Sequence, residues 1–248
     1  MKISIITATY NSSKTIIDTI QSLEQQTYSN IEYIIIDGAS KDNTLDIIKK
    51  HSSKVSKIIS EPDNGIYDAL NKGISVSTGD IIGFLHSDDV FAYPNAIEDL
   101  VTTLVNDQSQ AIYADLEYVS KENTESIVRR WISGNYKHEN LKKGWMPPHP
   151  TFFMKKELYN EHGTFDLNFK ISADYDSLLR YLWIHNISVS YLPKVVTKMR
   201  VGGESNRSFL NILRKTKEDI LALRKNNIFW VYPLLMKNIS KLPQFIKK

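Results

Sequence analysis

Two rhythms alternate through the first hundred residues. Short apolar runs, each closed by an acid or a turn residue, are separated by stretches in which apolar residues recur every three or four positions. The first rhythm suits strands buried on both faces, the second amphipathic helices. Residues 2–8, KISIITA, predict a first strand, with Thr9, Tyr10 and Asn11 as its turn. Ser12 or Ser13 is placed to cap a helix that gathers Ile16, Ile17, Ile20 and Leu23 on one face. EYIIIDG predicts a second strand ending at Asp37, followed by a helix in DNTLDIIKK. VSKIISE predicts a third, ending at Glu61, followed by a short helix in NGIYDALNKGI with Ile66, Ala69, Leu70 and Ile74 inward. A fourth, DIIGFL, runs into the adjacent acids Asp88 and Asp89. Pro94 suits the first turn of the next helix, whose stripe is Ile97, Leu100, Val101 and Leu104.

Strand–helix alternation repeated in this way predicts an α/β fold with a mainly parallel central sheet flanked by helices. In such sheets ligands bind beyond the carboxyl ends of the strands. Those ends carry Tyr10, Asp37, Glu61 with Asp63, and Asp88 with Asp89. After about residue 110 the pattern changes. AIYADLEYVS and SIVRRWIS predict a hairpin, and KGWMPPHPTFFMKK an extended loop, stiffened by Pro147, Pro148 and Pro150, that enters a strand. SADYDSLLRYLWIHN predicts a helix, and SVSYLP and KVVTKMRV two more strands. The expected organisation is a body over 1–206, in halves 1–110 and 111–206, and a helical tail over 207–248.

Composition narrows the chemistry. The chain of 248 residues is 42% hydrophobic and 24% charged, an ordinary soluble balance, and has no cysteine, which excludes disulfides and thiolate metal sites. The N-terminus turns polar too soon for a signal peptide, so a cytoplasmic location is expected. No apolar run approaches the roughly 20 residues that span a bilayer. From Asn211 onward nine Lys/Arg face two acids, a net +7; the whole chain is +3, so the rest carries −4. A basic tail on a mildly acidic body points to an anionic surface, such as the inner face of the cytoplasmic membrane, as partner. No nucleic-acid partner is expected.

No GxGxxG or GxxxxGK[ST] follows the first strand, which argues against a dinucleotide-dependent dehydrogenase and a P-loop. Adjacent acids at the tip of a buried strand repel one another, and a cation relieves the repulsion. Asp88 and Asp89 therefore read as a site for Mg2+ or Mn2+, with a solvated turn as the plain alternative. Tyr10 offers a face for stacking a base, and Asp37 an acceptor for a uracil imide N–H. Asp68 and Asn71 share a helix face and are candidate donor-binding residues, although Asp68 is equally placed to pair with Lys72.

ITATYN, IIIDGAS, EPDNGIYDALNKGI, GDIIGFLHSDD and ISADYDSLLRYL, in this order, resemble family 2 glycosyltransferases of the GT-A fold, in particular bacterial enzymes of O-antigen, capsule or exopolysaccharide synthesis. The resemblance spans about residues 1–205. It implies an inverting, metal-dependent hexosyltransferase using a nucleotide-diphosphate sugar, usually a UDP-sugar, with a saccharide or lipid-linked saccharide as acceptor. The first half would be the donor-binding half, where Ala8, Thr9, Tyr10 and Asp37 line the nucleoside pocket. Asp88 would lie near the ribose and Asp89 would bind metal. Ser-Asp-Asp replaces a full Asp-x-Asp, leaving Asp89 as the one certain carboxylate ligand. Arg200, with Gly202 and Gly203, would lie near the diphosphate. The base falls on Asp174, at the start of a helix. Wheel geometry supports it: Asp174 shares a face with Leu178 and Leu182, whereas Asp176 lies about 200° round and can pair with Arg180 at the surface.

Trp145 could stack on an acceptor sugar and His149 could bind acceptor or leaving-group oxygens; a buried tryptophan and a backbone-bonded loop histidine are the alternatives. A structural role is expected for His86. In the tail, Leu210, Leu213, Ile220 and Leu221 form a stripe, and IFWVYPLLM could lie in a membrane interface with Trp230 and Tyr232 at headgroup depth. Packing on the body or a dimer contact would use the same residues. The rival readings are a sugar-phosphate nucleotidyltransferase, against which ATYNSSK lacks the glycine-rich loop, and a non-catalytic nucleotide-sugar or membrane-docking module.

Overall fold

The apolar runs of the first half become strands, three of them buried on both faces and the third in sequence, at the sheet edge, partly exposed. In the computed structural model, which describes residues 1–202 and 209–239, β1 (Ile3–Thr9), β2 (Ile31–Asp37), β3 (Val55–Ser60) and β4 (Ile81–Phe84) lie parallel in the order β3-β2-β1-β4. Side chains alternate between two cores. Ile3, Ile5, Tyr33, Ile35 and Ile81 face α1 (Ile16–Glu24), α2 (Thr44–His51) and α4 (Ala96–Asn106). Ile6, Ala8, Ile34, Ile36, Ile82 and Phe84 face α3 (Ile66–Val76) and the helices of the second half. Each such side chain contributes about 1.5–3 kcal/mol by leaving water, so both faces of β1 are anchored.

The helix starts differ from expectation. Thr15, not Ser12 or Ser13, precedes α1, with no side-chain cap. The Ser12 carbonyl accepts the N–H groups of Thr15 and Ile16, both at 3.0 Å, and its hydroxyl lies 2.9 Å from that of Ser87. Pro94 lies just ahead of α4, which Asn95 precedes.

The second half extends the sheet with mixed polarity. β4 pairs antiparallel with β8 (Phe153–Lys155), which pairs antiparallel with β6 (Ala111–Val119). β6 runs parallel to β9 (Val189–Arg200), and β9 antiparallel to the short β5 (Val90–Phe91). β7 (Ile127–Trp131) forms the expected hairpin with β6. The two strands expected over 188–201 are one. Register passes from Ala114↔Leu192 to Asp115↔Val195, so Pro193 and Lys194 are looped out and the missing proline N–H costs no ladder bond.

α5 (Lys156–His162) follows β8, and α6 (Ala173–Leu179) continues into a π-helical turn over Arg180–Ile184. The tail forms α7 (Phe209–Lys225) and α8 (Val231–Ile239). α7 lays Asp219, Ala222, Leu223 and Asn226 against the body, while Leu210, Leu213 and Leu221 of the expected stripe are exposed. Trp230 packs against the core and Tyr232 is exposed, so the two do not share a depth. No described helix is long and apolar enough to cross a membrane. Gly203 and the expected end of the body near Asn206 lie outside the described residues.

Candidate active site

The acid pair sits on a tight turn fixed from three sides. The Asp89 N–H donates to the His86 carbonyl at 3.0 Å. From α1, the Thr15 hydroxyl donates to the Ser87 carbonyl and that of Thr19 to the Asp89 carbonyl, at 2.9 and 2.8 Å. From β9, Arg200 donates to the Asp88 carbonyl at 2.8 Å. Asp88 is half-buried, whereas both carboxylate oxygens of Asp89 are buried with no hydrogen-bond partner among the described residues. Burial, then the charge of Asp88, pushes the Asp89 carboxyl well above the usual carboxylate range, against the pull of Arg200. A buried carboxylate without a partner is chemically incomplete, and a hard divalent cation completes it. Among the described residues no three His, Cys, Asp or Glu side chains gather as a metal cluster. The carboxylates at this turn are Asp89 and, beside it, Asp88.

A cavity of about 650 Å³ opens over this turn, and Asp174 lies on its wall. Within α6 the side chains of Ala173 and Tyr175 through Leu179 are buried, and Asp174 alone is half-open. The Tyr67 hydroxyl lies 2.6 Å from the Ile171 carbonyl and 3.1 Å from Asp174 Oδ1, so one proton serves both acceptors. Asp174 Oδ2 has no hydrogen bond among the described residues. Burial and then the charge of Asp174 raise the Tyr67 phenol, which stays protonated as a donor. Tyr118 borders the same cavity, and the charges of both Asp89 and Asp174 act on it. The carboxylates of Asp89 and Asp174 thus share one cleft.

The wheel argument for the two α6 acids comes out reversed. Asp176, expected at the surface, is fully buried, where Arg180 (3.2 Å), Lys225 (3.0 Å) and Asn226 (3.0 Å) surround it. A helix packed on nearly every side has no apolar and polar faces to separate; partners on α7 drew Asp176 inward.

Two histidines join the cavity wall. His149 stacks on Phe84 with ring centroids 5.1 Å apart, and His86 lies 6.0 Å from His149. Burial pushes His149 down to about 4, with Asp174 opposing, and lowers His86 against the charges of Asp88 and Asp174. His149 Nε2 and His86 Nδ1 are buried without partners among the described residues. His86, expected to be structural, thus also borders the cavity. Trp145 also borders the cavity, its indole N–H donating to the Ser133 carbonyl at 2.9 Å.

The remaining expected donor residues divide. Ala8 lines the cavity. Thr9 and Asp37 are register partners at the carboxyl ends of β1 and β2, and Thr9 Oγ1 is buried without a partner among the described residues. Asp37 is fully buried, and the hydroxyls of Ser40 and Ser60 donate to its carboxylate. Tyr10 is 58% exposed. A Cβ at Gly38 would come within 2.5 Å of Asp63 Oδ2 and 3.4 Å of the Tyr10 ring, so a glycine there lets Asp63 lie beside Tyr10. Asp68 and Asn71 are not brought to the cleft. Asp68 accepts the Asn64 N–H (2.9 Å) and lies 3.8 Å from Lys72. Asn71 exchanges hydrogen bonds with the Phe165 backbone at 2.8 and 3.0 Å. Arg200 borders the cavity but is buried, and each guanidinium nitrogen has a protein acceptor: Lys121 carbonyl, Asp88 carbonyl, Asp18 carboxylate. Through the Asp88 carbonyl it braces the acid turn. Tyr67, Tyr118 and Lys237 had no local signal, since each meets the site only through the fold.

This arrangement has relatives. The chain is 29% identical over 189 residues to an uncharacterised glycosyltransferase of Mycobacterium tuberculosis, covering 72% of this chain and 68% of that one. It is 27% identical to an uncharacterised glycosyltransferase of Rickettsia prowazekii, covering 99% and 80%. A PGL/p-HBAD biosynthesis glycosyltransferase of Mycobacterium bovis is 27% identical, covering 82% and 78%. Solved structures share the GT-A fold. S. aureus TarS residues 1–349 with UDP superpose with TM-score 0.67 at 21% identity, covering 89% of this chain and 66% of that one. The mannosyltransferase PcManGT of Pyrobaculum calidifontis, with GDP-Man and Mn2+, superposes with TM-score 0.69 at 16% identity, covering 98% and 70%. The chain spans just under two thirds of that TarS fragment and 43% of a longer TarS structure. The family description "Glycosyl transferase family 2" matches residues 4–164, from β1 through α5, and the chain belongs to that family.

Proposed function

We propose that this protein is an inverting hexosyltransferase that moves a sugar from a nucleoside-diphosphate donor, a UDP-sugar, to a hydroxyl of a saccharide acceptor. The observation that carries this reading is the shared cavity: a half-open Asp174 on one wall and the unpartnered Asp89 carboxylate beneath. Inversion requires a base on the acceptor side, aligned so that the acceptor oxygen attacks C1 from behind. Asp174 takes the acceptor proton through Oδ2 while Tyr67 holds Oδ1. Neutral His86 and His149 each offer an unpartnered ring nitrogen to sugar or acceptor hydroxyls. Asp89, with Asp88 beside it, would hold Mn2+ or Mg2+, which when bound offsets diphosphate charge. The fold relatives TarS, solved with UDP, and PcManGT, solved with GDP-Man and Mn2+, support a nucleotide-sugar donor.

The tail supports a lipid-linked acceptor in bacterial surface-glycan synthesis. Phe229, Leu210, Leu235 and Tyr232 are 76%, 74%, 57% and 52% exposed, next to the basic residues of α7. Apolar residues among cations suit the interface of an anionic bilayer. The relative named for PGL/p-HBAD biosynthesis agrees with a glycolipid setting. A screen of nucleotide sugars for thermal stabilisation and donor hydrolysis, with and without Mn2+, tests the reading. One UDP-sugar should stand out on both measures; no response to any nucleotide sugar would sink it.

A further inference from the structure

The segment that presents Asp174 is gripped by the tail. Backbone N–H groups in the loop that leads into a helix need acceptors of their own. Those of Lys170, Ile171 and Ser172 all donate to one carboxylate, Glu218 of α7, at 3.1, 2.8 and 2.9 Å. Ser172 occupies the cap position of α6 but makes no capping bond there. Its hydroxyl donates instead to Asp219 Oδ1 at 2.8 Å, and Asp219 Oδ2 accepts the buried Lys237 ammonium of α8 at 3.0 Å. Lys237 in turn lies 3.4 Å over the ring of Tyr175, the residue after Asp174. On the other side, the Ile171 carbonyl accepts the same Tyr67 hydroxyl that touches Asp174. The three residues before Ala173-Asp174 are thus held by Glu218 through their N–H groups and by Tyr67 through a carbonyl.

We propose that Glu218 is a positioning residue for sugar transfer, aiming Asp174 into the cleft, so that α7 belongs to the catalytic apparatus. This rests on Asp174 being the base. Glu218 touches no reacting atom; it acts through the backbone of 170–172. A misplacement of about 1 Å can cost about 100-fold in rate. Residues of α7 that only dock the helix are separable from it: Lys225 pairs with Asp166 (2.8 Å) and Asp176 (3.0 Å), about two turns past Glu218 at the C-terminal end of α7.

The test compares Glu218→Ala, Glu218→Gln and Lys225→Ala in the full chain. UDP affinity is measured by calorimetry, melting temperature by circular dichroism, and kcat and KM by hydrolysis of the UDP-sugar selected in the donor screen. Glu218→Ala is expected to lower kcat about 10- to 100-fold with UDP affinity and donor KM within about 2-fold. Glu218→Gln, which keeps one acceptor oxygen, should recover part of kcat. Lys225→Ala should lower the melting temperature and leave kcat unchanged. Loss of kcat in Lys225→Ala in proportion to its melting temperature would reduce Glu218 to a docking residue, and so overturn the proposal. So would a Glu218→Ala protein, folded, with wild-type kcat. Asp174→Asn in the same series separates the two layers. Full activity there removes the base and the positioning role together; an inactive Asp174→Asn beside a fully active Glu218→Ala removes the positioning role alone.

Discussion

Replacing Asp89 by Asn should stabilise the metal-free protein at neutral pH while removing its response to metal. The carboxylate is 1% exposed, and neither oxygen has a hydrogen-bond partner among the described residues. Ionised, it bears a desolvation cost of several kcal/mol. Protonated at pH 7, it costs about 1.4 kcal/mol for each of roughly 3 pH units above the ordinary aspartate value, about 4 kcal/mol in all. The chain adopts the cheaper state, so about 4 kcal/mol is the ceiling. Asn avoids that cost but leaves a buried amide unpaired, worth about 1–3 kcal/mol. The net gain at pH 7 is about 1–3 kcal/mol, or about 2–4 °C of melting temperature per kcal/mol for a chain of this size. The sign with pH follows from the raised carboxyl: its native proton is retained where the unfolded chain has lost it. Wild-type stability is therefore full below about pH 4 and falls as pH rises toward the native titration. Urea unfolding of both proteins in chelator, from pH 4 to pH 8, should show Asp89→Asn the less stable by about 1–3 kcal/mol at pH 4, where only its unpaired amide counts, and the more stable at pH 8, the two curves crossing between. Mn2+ with UDP should stabilise the wild type and not Asp89→Asn. A constant difference across this pH range would refute the assignment of an unpaired buried carboxylate.

Other consequences are independent of metal. Asp176→Ala should cost about 3–5 kcal/mol, because it strands Arg180 and Lys225 around a buried hole, yet spare kcat of the folded fraction, read by urea unfolding and donor hydrolysis. Glu32, held by Ser4, Thr78 and Lys2, is drawn from its ordinary 4.5 to about 2 despite its burial. Its contribution, on the order of 3 kcal/mol, is present above pH 4.5 and lost as pH falls toward 2; Glu32→Gln should flatten acid unfolding over that window. Leu210→Glu with Phe229→Glu should abolish co-sedimentation with vesicles of anionic phospholipid and leave UDP affinity unchanged; undiminished sedimentation would assign the exposed tail face elsewhere.

The parallel half of the fold was legible because β1, β2 and β4 are buried on both faces, so their sequences are unbroken apolar runs. β9 was less so, since Pro193 reads as a stop and only the opposing bulge at Asp115 shows that the sheet steps over it. The acid turn was legible for the same reason as β4: an apolar run ending in two acids is a local signal. Its supports were not, because Thr15, Thr19 and Arg200 reach it from distant segments. For α7 the leucines did not say which face meets the body: Leu210, Leu213 and Leu221 are exposed, whereas Leu223 is buried. Asp219 and Asn226 turn inward because Lys237 with Ser172, and Asp176, wait there as polar partners. A buried polar group with good partners outranks apolar periodicity in setting a helix face.

The most direct measurement is Asp174→Asn in the presence of the UDP-sugar donor. The substitution keeps side-chain size and the Tyr67 contact but removes the proton acceptor. UDP affinity by calorimetry should stay within about 2-fold of wild type while turnover falls by about 10²–10⁴, the usual worth of a general base. Turnover near the wild-type rate, with UDP bound normally, would contradict the role assigned to Asp174 and with it the two-walled site.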